Sequence, residues 1–310
     1  MIVVTGSLAY DYIMEFPGSF GDHILPDQTH NVNLSFIVNK FARRRGGTAG
    51  NASYTLGLLK TPHILYSFAG EDFKDYRTDF ERIGIDTSFI KIDKDDHTST
   101  GFAMADKAQN QIWGYYYGAG SKNTSLKLSD IKKPIDLVLV GPQGAEGSLS
   151  FIKQSIELKV PYMFDPGFIL TQVSDEDLTL GVTHAEIIIG NEYEMNLIET
   201  RVKDFNKLIK EKIVITTLGE KGAEIVAKGE KIVIKTVKAV KVISTTGAGD
   251  AWRGGFLAGW QRKFDLLTCG QMGAIAGSFA VSDFGTQEYQ FTIQEFQNIY
   301  RQTYGSLLKL

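Results

Sequence analysis

The stretch Ser244-Thr-Thr-Gly-Ala-Gly-Asp-Ala251 is where residue types and spacing in this chain first point to chemistry. It follows a strand-like stretch and opens an apolar-periodic segment running to about Trp260, so it reads as a loop leading into a helix. Gly247 and Gly249 let the backbone turn tightly. With Ala248 between them they leave three amides unobstructed at a helix N-terminus, a site for an anion. Asp250, in the first helical turn, cannot itself ligate a phosphate, because like charges repel. It suits a base that accepts a hydroxyl proton while the amides steady the charge on a transferring phosphoryl group. The plainer alternative is a glycine loop whose Asp stabilises a helix N-terminus, worth about 0.3–1 kcal/mol. Trp252 stands where a dinucleotide GxGxxG loop has its third glycine, and the chain has no GxxxxGK[ST].

Two further clusters sit at the same kind of junction. Gly46-Gly-Thr-Ala-Gly-Asn-Ala-Ser53 also leads into a helical pattern. Gly46 and Gly47 permit a ligand to approach the backbone, and Asn51 offers both donors and acceptors; turn geometry alone would explain the glycines equally. Asn191-Glu-Tyr-Glu194 follows the apolar run Ile187-Ile-Ile189, at a strand's carboxyl end, where open α/β sheets place their sites. One helical turn puts Asn191 and Glu194 on one face, able to hold a hydrated Mg²⁺, or else simply capping the helix. Thr217-Leu-Gly219, after the next apolar run, is a candidate phosphate-side turn. Arg43-Arg-Arg45 could meet a phosphate or form a solvated strand end, with Arg45 the residue nearest the glycines.

The elements that must position these residues are legible from periodicity. Apolar runs at Asp136–Val140, Pro161–Phe164, Glu186–Ile189 and Ile213–Thr216 start about 25 residues apart, separated by helical patterns such as Ser148–Lys159 and Glu192–Ile198. Continuous apolar strands alternating with helices predict a parallel sheet covered on both faces. In the first half, alternating β-branched and aromatic segments around Asn33–Phe41, Thr98–Ala105 and Gln111–Tyr117 read as strands with one wet face. Helical stretches near Ala49–Lys60 and Asp72–Gly84 interleave with them. The predicted architecture is one α/β unit over residues 1–310, with a small β-sheet lid inserted from about 12–45 and 88–118 and folded over one edge. The uncharged run Leu266–Ser282 is too short and too polar for a bilayer span and reads as a core helix.

Composition excludes several classes. The chain has 310 residues, 43% hydrophobic and 22% charged, which is globular. A net charge of -3 gives no electrostatic case for nucleic acid or an anionic membrane. The lone Cys269 forms no internal disulfide and fits a reducing cytosol, and Met1-Ile-Val-Val-Thr-Gly begins like a buried strand, so a cytoplasmic location is expected. The five histidines have no paired-ligand spacing, which argues against zinc.

Taken in order, Gly46-Gly47…Asn51, Asn191…Glu194 and Thr246-Gly-Ala-Gly-Asp250 resemble the ribokinase-like (PfkB) family of carbohydrate and nucleoside kinases, across essentially the whole chain. The resemblance implies a Rossmann-type α/β/α core with a β lid and Mg²⁺-ATP as donor. It implies Asp250 as base and the Gly247, Ala248 and Gly249 amides as anion hole. Asn191, Thr217, Gly219, Thr246 and Gly249 would lie along the nucleotide, and Glu194 would orient Mg²⁺ through water. In some relatives a monovalent cation near the Thr246 loop assists. Asp11, in Gly6-Ser-Leu-Ala-Tyr-Asp11, matches the position that grips sugar hydroxyls, and a carboxylate suits a vicinal diol.

The N-terminal third is most similar to the bacterial adenosine kinases, through Phe16-Pro-Gly-Ser-Phe20…Leu25-Pro…Asn33-Leu-Ser-Phe36, as is Gly285-Thr-Gln-Glu288. Ser7 and Ser35 match positions that touch the nucleoside there. Where those enzymes set an aromatic ring on the purine, this chain has Gly101 beside Phe102. Where they carry glutamines after Asp165-Pro, it has Gly167-Phe168-Ile169. Trp113, Tyr115 and Tyr117 alternate along a strand and share a face, so one of them, or Phe102, could stack on a base. Forming the lid's own apolar face or a dimer contact is the alternative. The expected activity is transfer of the γ-phosphate of ATP to the 5′-hydroxyl of a ribonucleoside, adenosine first, in purine salvage. The alternatives are a sugar kinase for ribose or a phosphorylated hexose, and a catalytically silent nucleoside-binding regulator. The expected partner is a small-molecule nucleoside or sugar, with no nucleic acid or membrane, acting on a monomer or a homodimer joined through the lid.

Overall fold

The structure is a computed structural model that describes residues 1–23, 34–108 and 110–310. Its larger sheet has eight strands in the order β14-β13-β12-β11-β10-β9-β1-β4. These are β1 (Ile2–Thr5), β4 (His63–Leu65), β9 (Leu137–Val140), β10 (Tyr162–Phe164), β11 (Ile187–Asn191), β12 (Ile213–Thr217), β13 (Ala223–Ala227) and β14 (Glu230–Ile234). From β4 to β12 every pairing is parallel, and the β13–β14 hairpin closes the edge antiparallel. The four apolar runs of the sequence are β9 to β12. Alternate residues divide between two cores, as side chains of a pleated strand must. Val3, Val138, Val140, Phe164 and Ile188 pack on one side, and Ile2, Val4, Leu139, Met163 and Ile189 on the other.

Helices cover both faces: α1 (Thr48–Leu58), α2 (Lys74–Arg82), α3 (Ala145–Glu157), α4 (Asp175–His184), α5 (Glu192–Arg201), α6 (Phe205–Leu208), α7 (Ala248–Gln261), α8 (Leu266–Ala280) and α9 (Ile293–Tyr304). Glycines bring α7 and α8 together. A Cβ on Gly255 would lie 2.5 Å from the Met272 carbonyl, and one on Gly273 2.8 Å from the Trp252 ring. α8 is the buried helix expected at Leu266–Ser282, and among the described residues no helix is long and apolar enough to cross a membrane.

The lid is a four-stranded sheet, β3-β2-β7-β8, from β2 (Ala9–Glu15), β3 (Lys40–Gly46), β7 (Ser99–Ala105) and β8 (Gln111–Tyr116). β5 (Phe68–Ala69) and β6 (Lys91–Ile92) pair separately, so residues near 88 are not lid strands. Among the described residues, one expected strand begins only at Lys40 and another does not form. Residues 34–38 are irregular, and Leu25, Pro26 and Asn33 lie outside the described residues. Phe36 packs instead on Phe16, Phe20 and His23, which takes it out of sheet register. The stretch before Ser244 is also irregular. β14 ends at Ile234, and Val240, Val242 and Ile243 are exposed and join no strand.

Candidate active site

Gly47 and Gly247 are the N-caps of α1 and α7, and each has a positive φ that favours glycine, +87° and +81°. A Cβ on Gly47 would meet the Ser7 carbonyl at 2.5 Å, and one on Gly247 would meet Thr286 at 2.7 Å. The first turns of the two helices meet through side chains. Asn51, in the first turn of α1, donates from Nδ2 to Asp250 Oδ2 at 2.7 Å. Its Oδ1 accepts from Gln287 Nε2 at 2.8 Å and lies 2.7 Å from the Thr286 hydroxyl. Burial pushes the Asp250 carboxyl above the ordinary range, opposed by the Arg253 guanidinium and by Asn51. Of the three amides expected to be open, that of Ala248 is engaged by the Thr245 carbonyl at 3.2 Å. The amides of Gly247, the cap, and of Gly249 and Asp250, the second and third residues of α7, have no backbone acceptor among the described residues.

Asp11 lies on β2, within the lid sheet, paired in register with Gly101 on one side and Arg44 on the other. Its carboxylate fits only because two neighbours lack side chains. A Cβ on Gly46 would collide with Oδ2, and one on Gly101 would stand 2.7 Å from Oδ1. Burial, then the charge of Asp250, pushes Asp11 up to about 6. Ser7, buried beside it, accepts from the Thr48 amide at 3.1 Å. Tyr115, paired with Gly101, has its hydroxyl beside Ser7 and Ser99, and burial pushes it up to about 12. The Trp113 ring covers the space over Gly101, 3.0 Å from where a Cβ would be.

Two expected substrate-side residues are not brought here. Phe102 follows Gly101 on β7, so it points to the opposite face, where it stacks on Tyr12 at 5.4 Å. Ser35 is exposed in the irregular segment before β3, with no hydrogen bond to this cluster among the described residues. Phe168 lies 6.0 Å from Tyr115 between ring centroids, and Gln172 Oε1 accepts from the Tyr117 hydroxyl at 3.1 Å. A glutamine therefore does stand at this wall, five residues beyond Gly167 along a 3-10 turn, where spacing from Asp165-Pro gave no signal.

The carboxyl ends of β10, β11 and β12 carry the third group. Asn191 and Glu194 form a capping box: Asn191 Oδ1 accepts from the Glu194 amide and Glu194 Oε2 from the Asn191 amide, both at 2.8 Å. Thr217 pairs with Asn191 in register, and Gly219 follows in an open turn at φ +59°. Thr246 is exposed in the α7 loop, its amide 3.3 Å from Ser244 Oγ. Behind them, Asp165 and Arg253 form a buried pair, Nη2 to Oδ1 at 2.7 Å and Nε to Oδ2 at 2.5 Å. Burial pushes Asp165 up to about 7 even so, with Glu194 and Asp250 adding to it. Asp165, Thr286 and Gln287 stand in stretches that the sequence marked only by resemblance, and Arg253 in none; no role was assigned to any of them, because each matters through a partner far along the chain. Glu194 acts electrostatically on Asp165, Asp250 and Arg253, so the three groups form one charged cleft.

Residues 2–292 match the family described as pfkB family carbohydrate kinase. The chain is 30% identical over 292 residues to the nucleoside kinase of Methanocaldococcus jannaschii, covering 92% of each. It is similar to the structure of Burkholderia thailandensis nucleoside kinase in complex with inosine, with a TM-score of 0.90, 30% identity and complete coverage of both chains. The same enzyme in complex with ADP-inosine aligns at a TM-score of 0.86 and 32% identity, over 100% of this chain and 98% of that one. With this match, and with an acid poised beside open amides, the chain belongs to the pfkB family of carbohydrate kinases, phosphotransferases that take an alcohol group as acceptor.

Proposed function

We propose that this protein transfers the γ-phosphate of ATP to the 5′-hydroxyl of a ribonucleoside. The observation that carries the reading is the juxtaposition of two carboxylates with different surroundings. Asp250 receives a hydrogen bond from Asn51 next to open amides, and Asp11 is enclosed by glycines under an aromatic wall. Asp11 suits the ribose diol, accepting two hydroxyl hydrogen bonds. Trp113, Tyr115 and Phe168 offer ring faces on the same side, an aromatic area that suits stacking on a base. The inosine and ADP-inosine complexes of the Burkholderia enzyme support an acceptor and donor of these classes.

In this mechanism Asp250 accepts the 5′-hydroxyl proton as the oxygen forms its bond to phosphorus and the bond to the ADP oxygen breaks, giving a nucleoside 5′-monophosphate and ADP. The Gly249 and Asp250 amides meet the charge on the phosphoryl oxygens. Thr217, Gly219 and Thr246 would lie along the donor nucleotide. A magnesium ion fits this cleft if the phosphates carry most of its coordination. Glu194 engages one oxygen in its capping box and leaves the other for a metal-bound water, and no cluster of three metal-ligating side chains occurs among the described residues. When bound, the ion offsets phosphate charge.

The test is phosphate transfer from Mg²⁺-ATP to adenosine, inosine, guanosine, cytidine, uridine, ribose and fructose 6-phosphate, with Asp250→Asn as blank. Phosphorylation of nucleosides, adenosine and inosine foremost, is expected. Reaction with a sugar alone overturns the nucleoside reading, and ATP binding without any transfer overturns the kinase reading.

A further inference from the structure

The three successive arginines of β3 divide between the two faces of the lid. Arg43 and Arg45 point toward α2 and the 3-10 turn before it, and both meet carboxylates. Arg43 lies 3.6 Å over the Tyr10 ring and 3.9 Å from Asp72, and Arg45 pairs with Asp79 and, at 3.4 Å, with Glu288. Arg44 is the register partner of Asp11, so it is on the cleft face. Asp11 is turned into the space left by Gly46 and Gly101, and Arg44 has no ion pair among the described residues. Its side chain instead crosses from the lid to the Phe284–Gly285 turn. Cδ and Nε lie 3.1 and 3.5 Å from where a Gly285 Cβ would be, and the guanidinium carbon is 5.9 Å from the Phe284 ring centre. Nε is buried with no hydrogen-bond partner. The next residue of that turn, Thr286, packs directly on Gly247, the cap of α7.

A buried guanidinium nitrogen without an acceptor is costly unless something supplies one, and the planar donor fork matches phosphate oxygens. The Thr286–Gly247 contact joins the turn that holds this unpaired cation to the cap of α7, whose next residues carry the open amides. We propose that Arg44 is a catalytic residue that binds the phosphoryl group in transit and on the product, from the lid side, opposite the Gly249 and Asp250 amides. The inference rests on the kinase reading above. It also reassigns the phosphate contact within the arginine run, from Arg45 to Arg44, because strand alternation sends Arg45 to the other face.

The experiment is calorimetric titration of the full chain with inosine and with inosine 5′-monophosphate, for the wild type, Arg44→Met, Arg44→Lys and Arg43→Met. Loss of a charge-assisted bond predicts monophosphate binding weakened about 10- to 100-fold in Arg44→Met, with inosine binding within about twofold of wild type. Arg44→Lys keeps part of the monophosphate affinity, and Arg43→Met changes neither ligand. An equal fall for both ligands would make Arg44 a packing residue, and no change for either would remove it from the site; each outcome overturns the proposal. A wild type that binds neither ligand fails the nucleoside reading instead. The same comparison on ribose and ribose 5-phosphate then decides Arg44 by the same criteria.

Discussion

Asn51 joins the first turns of two helices that are 199 residues apart in sequence, its Nδ2 donating to Asp250 Oδ2 at 2.7 Å. Its orientation is fixed from behind, because Gln287 Nε2 can only donate and therefore requires Oδ1 on its side. The amide hydrogens must then face the carboxylate, which favours the ionised, proton-accepting form of Asp250.

Asp250→Asn keeps the shape of the cleft but removes the base. Turnover is expected to fall about 10²- to 10⁴-fold with ATP affinity nearly unchanged, read by steady-state kinetics beside nucleotide titration. Equal loss of binding and turnover would count against Asp250 as base.

Asn51→Leu removes the hydrogen bond that lowers the Asp250 pKa, leaving burial to raise it further. The acid limb of the kcat profile should move to higher pH, since Asp250 is then protonated over a wider range. A limb that stays in place would show that Asn51 does not tune this acid.

Acceptor binding should follow the Asp11 carboxyl, which burial pushes up to about 6. Protonation takes the charge and part of the acceptor capacity from Asp11, so affinity is present above that pH and falls below it. Acceptor KM is expected to rise about tenfold from pH 7 to pH 5 while ATP KM holds, and Asp11→Asn should be weak and flat across the range.

Gly101→Ala introduces a methyl 2.7 Å from Asp11 Oδ1 and 3.0 Å from Trp113. The displaced carboxylate should raise acceptor KM by about tenfold or more, at a stability cost of about 1–3 kcal/mol measured by denaturant melting. Unchanged acceptor KM would mean Asp11 does not hold the substrate.

The two faces of the lid should separate in kinetics. Trp113→Ala removes a ring from the Asp11 face and should raise nucleoside KM about tenfold, in line with base–aromatic stacking energies. Phe102→Ala lies on the far face against Tyr12 and should leave KM within about twofold. The reverse ranking would put the base on the other side of the sheet.

The sequence by itself determined the parallel sheet, because continuous apolar runs such as Ile187-Ile-Ile189 have no soluble alternative to burial on both faces. It also determined the helix-opening glycine loops, since Gly47 and Gly247 need a backbone conformation that few other residues adopt. Local chemistry made Asp250, Asn51, Asn191 and Glu194 legible, the last two as a magnesium pair or a helix cap, and the structure joins them in a capping box. What only the tertiary structure decided is which residues meet. Arg44 rather than Arg45 faces the cleft, Phe102 turns away, and the Ala248 amide is taken by its own loop. Asp165 finds Arg253 and Asn51 finds Gln287 across most of the chain. The physical reason is that a strand's facing is set by register, and register by pairing with distant strands. One residue of slip reverses every side chain, and composition and spacing leave that slip undetermined.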